Sequence, residues 1–200
     1  MSVFSIHSAT FPSSHAAPSL AAQAGEVIHD HAEIARRLAA LGVRFERWQA
    51  AAPLPANADA QAVLAAYREP LAALKAEYGF QSVDVIRVQA GHPDQETLRQ
   101  KFLAEHTHND FEVRFFVEGR GLFYLHVGET VFALLCEQGD LVSVPANTSH
   151  WFDMGETPDF TCIRLFTRED GWAAEFSGDP LPASFPSLEG YAAAVSALRR

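Results

Sequence analysis

From about position 111 onward the chain changes character, and that change constrains its fold more than any other feature. Five runs rich in β-branched and aromatic residues follow one another closely, at 111–118, 121–127, 130–136, 140–144 and 161–166. No stretch of helical periodicity separates them, so they cannot be parallel strands joined by crossover helices. They must pair antiparallel, as a sandwich or a closed barrel. The links Glu118-Gly-Arg-Gly121 and Val127-Gly-Glu129 supply glycine for the positive φ angles of tight hairpins.

The upstream half reads differently. Residues 30–41 form a helix in which Asp30 can cap, Glu33 completes a capping box and Gly42 stops the chain. A strand fits 43–49. After the turn at Pro53 and Pro55, Ala and Leu content predicts helix over 59–78, which Pro70 kinks or splits. Another strand fits 82–89 and a short helix 93–103. At the far end, 170–200 reads as a covering tail with a final helix over 188–198. Residues 1–25 are rich in Ser, Ala and Pro, a composition that buries little apolar surface. The expected organisation is a short strand near 3–6 within a loosely ordered N-terminal lead (1–25). A single mainly β (α+β) domain over 26–200 follows, with flanking helices and a barrel core at about 82–168.

Composition excludes several function classes. Fifteen Lys and Arg against 25 Asp and Glu give a net charge of −10, which repels nucleic-acid phosphates. Cys136 and Cys162 are too few for a disulfide framework and too far apart for a Cys-x-x-Cys pair, so both are expected to be buried free thiols. The longest apolar runs fall short of the roughly 18 residues of a membrane span, and the start lacks a basic region before its Ala-rich stretch. The expected location is cytoplasmic, with no nucleic-acid or membrane partner.

The chemistry concentrates in His106-Thr-His108-Asn-Asp-Phe-Glu112. On an extended strand, alternate residues share a face, so both imidazoles can point one way. A second segment, Gly139-Asp-Leu-Val-Ser-Val-Pro145-Ala-Asn-Thr-Ser-His150, delivers a third imidazole just past a strand and a Pro-Asn turn. Imidazole and carboxylate suit divalent iron, nickel, cobalt and zinc, and four of them on an octahedral ion leave two positions for a substrate. Arg114 lies two residues beyond Glu112 on the same face, where its guanidinium can stabilise a substrate anion. Ser143 and Ser149 lack a nucleophile elbow, and Gly119-Arg-Gly121 lacks the rest of a dinucleotide fingerprint. His126, in another strand, reads as a packing residue.

These residues resemble the two short barrel motifs of the cupins. His106, His108, Glu112 and Gly119 match the first; Gly139, Pro145 and His150 match the second, with Asn147 in place of its Gly and able to adopt the same left-handed backbone. Within the cupins, three blocks are similar to the acireductone dioxygenases of methionine salvage: Lys101-Phe-Leu-Ala-Glu-His-Thr-His108, Glu112-Val-Arg-Phe-Phe-Val-Glu-Gly119 and Pro145-Ala-Asn-Thr-Ser-His-Trp-Phe-Asp-Met-Gly155. The likeness spans about 101–166.

The resemblance implies a cupin-type antiparallel β-barrel with flanking helices, binding one Fe(II) or Ni(II) per chain through His106, His108, Glu112 and His150. It implies cleavage of 1,2-dihydroxy-3-keto-5-methylthiopentene by dioxygen. With iron the products are 2-keto-4-methylthiobutyrate and formate; with nickel they are 3-methylthiopropionate, formate and carbon monoxide. It carries catalytic parts onto Arg114 and Glu105, the latter linked to metal loading, and a substrate pocket onto Phe102, Phe152 and Arg164. The family usually has an acidic residue before the metal Glu as a conformational relay; here Phe111 stands there, with Asp110 one position earlier. The expected partners are the small acireductone and dioxygen, and the chain is expected to be a monomer. Two rivals remain: another metal-dependent cupin enzyme, and a non-catalytic cupin that senses or stores a small ligand.

Overall fold

The structure is a computed structural model and describes residues 1–10, 24–51, 53–55, 58–168 and 170–198. In chain order its strands are β1 (Val3–Ser8), β2 (Ala24–Ile28), β3 (Arg44–Arg47), β4 (Ser82–Val88), β5 (His106–His108) and β6 (Glu112–Glu118). They continue as β7 (Arg120–Val127), β8 (Thr130–Glu137), β9 (Asp140–Val144), β10 (Ser149–Asp153), β11 (Phe160–Phe166) and β12 (Ala174–Phe176). The helices are α1 (His31–Ala39), α2 (Ala60–Ala66), α3 (Arg68–Tyr78), α4 (Gln95–Leu103) and α5 (Leu188–Ala197). None is long and apolar enough to cross a membrane.

The strands form two antiparallel sheets, in the orders β12-β5-β10-β7-β8-β1-β2 and β3-β9-β6-β11-β4. Their inner faces share one core: Phe4, Phe123, Leu125 and Leu134 from the first sheet meet Phe116, Val142, Phe160 and Cys162 from the second. The expected antiparallel barrel is therefore present, flattened into two facing sheets. Period-two alternation sorts each strand. In β6, Phe116 faces inward with Glu112 and Arg114, while Val113, Phe115 and Val117 face outward under α2 and α3. The outer face of the longer sheet is covered by the C-terminal segment, where Tyr124 and Trp151 pack against Phe185, Leu188 and Tyr191. The tail is a lid on this sheet, as its position in the sequence suggested.

Local signals account for most boundaries. Asp30 accepts a hydrogen bond from the Glu33 amide and caps α1. The predicted long helix splits at Tyr67, and Pro70 falls in the first turn of α3, where its missing N–H costs no helical bond. Three expectations need correction. The strand near 3–6 runs to Ser8 and lies inside the longer sheet between β8 and β2, with Val3 and Phe4 fully buried. A boundary at residue 26 would cut this sheet, because β1 pairs with residues on both sides of it; residues 11–23 lie outside the described residues. Gly119 has the positive φ of a turn residue, but Gly121 does not. A Cβ there would stand 2.3 Å from the Phe152 ring, so close packing, and not a turn, requires this glycine. Finally, 149–153 and 174–176 are strands that the sequence pattern did not mark.

Candidate metal centre

Three strands, β5, β6 and β10, assemble the site. Strand β5 turns His106 and His108 inward and Thr107 outward, and β6 opens on Glu112. His150 arrives on β10, directly opposite His106 in the register. The turn before β10 has Asn147 at φ 63°, the one positive φ among described non-glycine residues, as expected for Asn in place of Gly. The Asn147 amide donates to the His108 carbonyl at 2.8 Å, which ties the turn to the strand carrying two of the imidazoles.

Each imidazole is oriented by a backbone carbonyl. Nδ1 of His106 donates to Ala104 O at 2.7 Å, that of His108 to Ala173 O at 2.9 Å and that of His150 to Thr148 O at 2.7 Å. A carbonyl can only accept, so Nδ1 carries the proton and Nε2 presents a lone pair. One ligand-capable atom from each of His106, His108, Glu112 and His150 lies within 4.8 Å of all the others. Glu112 Oε2 stands 2.6 Å from His150 Nε2 and 3.2 Å from His108 Nε2. Lone pairs that face one another so closely repel unless a cation lies among them. An octahedral ion with bonds of about 2.1 Å spaces its ligands about 3.0 Å apart when adjacent and about 4.2 Å when opposite, close to what is found. The residues thus fit a divalent ion.

The electrostatics agree. Burial, reinforced by His150, pushes His106 down to about 4, so it is neutral at physiological pH. Burial alone would raise the Glu112 carboxyl, but Arg114, His150 and His108 hold it well below the usual carboxylate range. Against the cost of burial, Glu112 raises His108 in the absence of an ion; ligating through their Nε2 lone pairs, three neutral imidazoles and one carboxylate would leave a divalent ion with a formal charge of +1, which attracts an anionic oxygen chelate.

A cavity of about 290 Å³ opens beside the cluster. Glu112, Arg114, Arg164 and Phe166 form one wall, His106, His108, Ala174 and Phe176 another, and α4 covers it with Leu98, Lys101 and Phe102. Helix α4 is fixed by Arg99, whose guanidinium binds the buried Asp153 carboxylate from 3.0 Å. Arg114 donates through Nε to Glu112 Oε1, and its guanidinium lies 5.7 Å from the Phe102 ring centre and 5.6 Å from that of Phe152. Its NH1 is buried without a hydrogen-bond partner. A buried cationic donor left unpaired at a cavity wall is costly unless a ligand oxygen meets it.

The structure therefore brings together His106, His108, Glu112, His150, Arg114, Phe102, Phe152 and Arg164. Arg164 is engaged by Asp84, to which it donates through Nε at 2.8 Å and through one terminal nitrogen at 2.6 Å. Two residues lie elsewhere. Phe111 packs against Tyr78 under α3, on the outer face, since strand parity sends it away from Glu112. Glu105 precedes His106 and by the same alternation falls on the reverse of the sheet, where it meets His126 and Ser177, so it does not touch the reacting atoms. His126, read as a packing residue, is its hydrogen-bond partner at 2.7 Å. Sequence reasoning missed the β12 strap, which supplies Ala173 O to His108 and places Trp172, Ala174 and Phe176 around the cavity. It also missed Asp84. A larger cleft, about 390 Å³, lies behind α4 under the C-terminal tail and holds none of the cluster.

Three imidazoles and a carboxylate gathered at one end of a flattened antiparallel barrel define a metal centre of the cupin type. Residues 21–174 match the model of the ARD/ARD' family, and the chain belongs to that family. The acireductone dioxygenase of Methylococcus capsulatus is 56% identical over 174 residues, 87% of this chain and 94% of that protein. The acireductone dioxygenase of Aquifex aeolicus is 52% identical over 170 residues, 84% of this chain and 93% of that protein. Among solved structures, acireductone dioxygenase from Bacillus anthracis, with a cadmium ion in its active centre, superposes with a TM-score of 0.73. It is 26% identical and covers 88% of this chain and 98% of its own.

Proposed function

We propose that this protein is an acireductone dioxygenase of methionine salvage that holds one Fe(II) or Ni(II) ion on His106, His108, Glu112 and His150. The observation that carries this reading is the convergence of three imidazole lone pairs on Glu112, each imidazole locked by a backbone carbonyl. The substrate is 1,2-dihydroxy-3-keto-5-methylthiopentene. An ion held by these four residues would supply Lewis acidity toward the substrate's electron-rich enediol, which dioxygen oxidises. The unpaired NH1 of Arg114 is available to a substrate oxygen and stabilises the enediolate. Phe102 and Phe152 flank that guanidinium and keep water from it. Glu112 is shared: one oxygen faces the imidazoles and the other accepts from Arg114, so the positions of ion and guanidinium are set together. The protein works as a monomer in the cytoplasm.

The test is reconstitution. Apoprotein reloaded with Fe(II) should yield the keto acid and formate without carbon monoxide; reloaded with Ni(II), it should release carbon monoxide. Both ions use the same four residues, so the products diverge through the ion and not through the ligand set. Headspace analysis and product chromatography, with metal content checked, decide the matter. Identical products would refute the switch, and no turnover with either ion would favour a ligand-binding cupin without catalysis.

A further inference from the structure

The two strands that carry His106 and His150 are weakly joined. Strand β5 has three residues, and His150 opposite His106 is the only register pair between it and β10. A ladder this short gives little resistance to sliding or fraying. On the other side of β5, β12 is equally short, and its final residue, Phe176, stands opposite His106. The alignment of His106 and His150 must therefore be held by something beyond the strand pairing.

A clamp lies on the reverse face. Glu105 is 4% exposed, and each of its carboxylate oxygens has a single donor. His126 Nδ1 donates to Oε2 at 2.7 Å, and Ser177 Oγ donates to Oε1 at 2.8 Å. The Ser177 amide donates to the Glu105 carbonyl at 3.0 Å. The sheet order is β12-β5-β10-β7, so the three residues span four adjacent strands: Ser177 follows β12, Glu105 precedes β5 and His126 sits on β7. His126 pairs with Ser149, the neighbour of His150, so the bond between Glu105 and His126 crosses behind β10 at the level of the imidazoles. It spans the one-pair junction that the backbone leaves weak.

We propose that His126 and Ser177 are positioning residues that act through Glu105 to hold the β12, β5 and β10 strands in register, and so set the spacing of His106 and His150 and the rate at which the ion is lost. The inference rests on the metal-centre reading. The clamp touches neither ion nor substrate, so its loss lowers metal retention before it changes the fold. Removing an outer hydrogen-bonding partner typically weakens metal binding by about 10- to 100-fold.

The experiment loads the full chain with Ni(II) and follows release to a chelating dye, alongside thermal melting of each variant. His126→Ala and Ser177→Ala should each release nickel about tenfold faster than wild type. His126→Gln, which keeps a donor toward Glu105, should lie near the wild-type rate. In a Glu105→Gln background His126→Ala should add little, because partners in one network are not additive. Should His126→Ala fail to fold, Ser177→Ala and His126→Gln carry the comparison. Wild-type release rates in both Ser177→Ala and His126→Ala, or full additivity with Glu105→Gln, would overturn the clamp while leaving the metal centre intact. A wild-type protein that retains no nickel would overturn the metal-centre reading and the clamp with it.

Discussion

Adding one methyl group at Gly121 should damage both stability and turnover. Its Cβ would lie 2.3 Å from Cε2 and Cζ of Phe152 and 3.2 Å from Cε1 of Phe116. Carbon atoms in contact need about 3.5–4.0 Å, so the Phe152 ring must retreat by more than about 1 Å. It has nowhere to go. Phe152 is 1% exposed, with the Phe123 ring centre 4.8 Å away and that of Phe160 5.9 Å away. Overpacking of this kind costs about 1–3 kcal/mol; at about 2–4 °C per kcal/mol for a chain this long, a loss of about 2 kcal/mol lowers Tm by about 4–8 °C. The displaced ring also flanks the Arg114 guanidinium, so kcat should fall at temperatures well below the melt. Gly128→Ala is the control: its φ is +62° and no atom lies within 4 Å, so it should incur only left-handed strain, about 1–2 kcal/mol, with kcat intact. Thermal melts and kcat at 20 °C on both variants check this. Gly121→Ala with the kcat of Gly128→Ala would refute the packing argument, as would failure of Phe152→Leu to recover stability in the Gly121→Ala background.

Two other outcomes follow from buried charge and buried thiols. Arg114→Met should keep metal content near wild type, since Arg114 is not a ligand, while turnover drops by about 10²-fold, the scale for losing one preorganised donor; elemental analysis beside kinetics separates the two, and wild-type kcat would reduce Arg114 to a packing residue. Burial pushes the Cys162 thiol up to about 12 and Cys136 well above its usual range, so neither should react with an aromatic disulfide at pH 8 until the protein unfolds. Because the folded values are raised, the stabilisation from these protonated thiols is complete below about pH 9 and drains away as pH rises toward 12. Denaturation midpoints should fall above pH 9, and less steeply in Cys162→Ala; a pH-independent midpoint between 8 and 11 would contradict this.

What the sequence made legible was periodic or local. His106 and His108 share a face because a strand repeats every two residues, and Asp30, Pro70 and Asn147 act through their own backbone neighbourhoods. What stayed hidden depends on contacts distant in the chain. Arg164 and Asp84 meet because β11 and β4 pair at that register, which no spacing reveals. The acceptors that orient the imidazoles are main-chain carbonyls of Ala104, Thr148 and Ala173, and a carbonyl carries no residue identity to read. Gly121 looked like a turn residue because a second constraint, the Phe152 ring, lies on another strand.

Phe111 stands where the resemblance leads one to expect an acidic residue, and the structure gives the carboxylate one position earlier, Asp110, a definite set of partners. Residue 111 leads into β6 with its side chain outward, toward Tyr78, so it cannot reach the turn after β11. Asp110 lies before the strand begins, and the alternation that governs β6 does not bind it. Its carboxylate, 4% exposed, accepts from the Thr167 amide at 2.7 Å, the Thr167 hydroxyl at 2.6 Å and the Arg168 amide at 3.1 Å. Gly171 packs so tightly on it that a Cβ there would come within 2.3 Å of Oδ2. That turn leads directly to Ala173, whose carbonyl orients His108, and to Trp172 and Ala174 at the cavity. A carboxylate between His108 and Glu112 thus fixes the strap that closes over them, so the metal-binding segment and the cavity wall form one hydrogen-bonded unit.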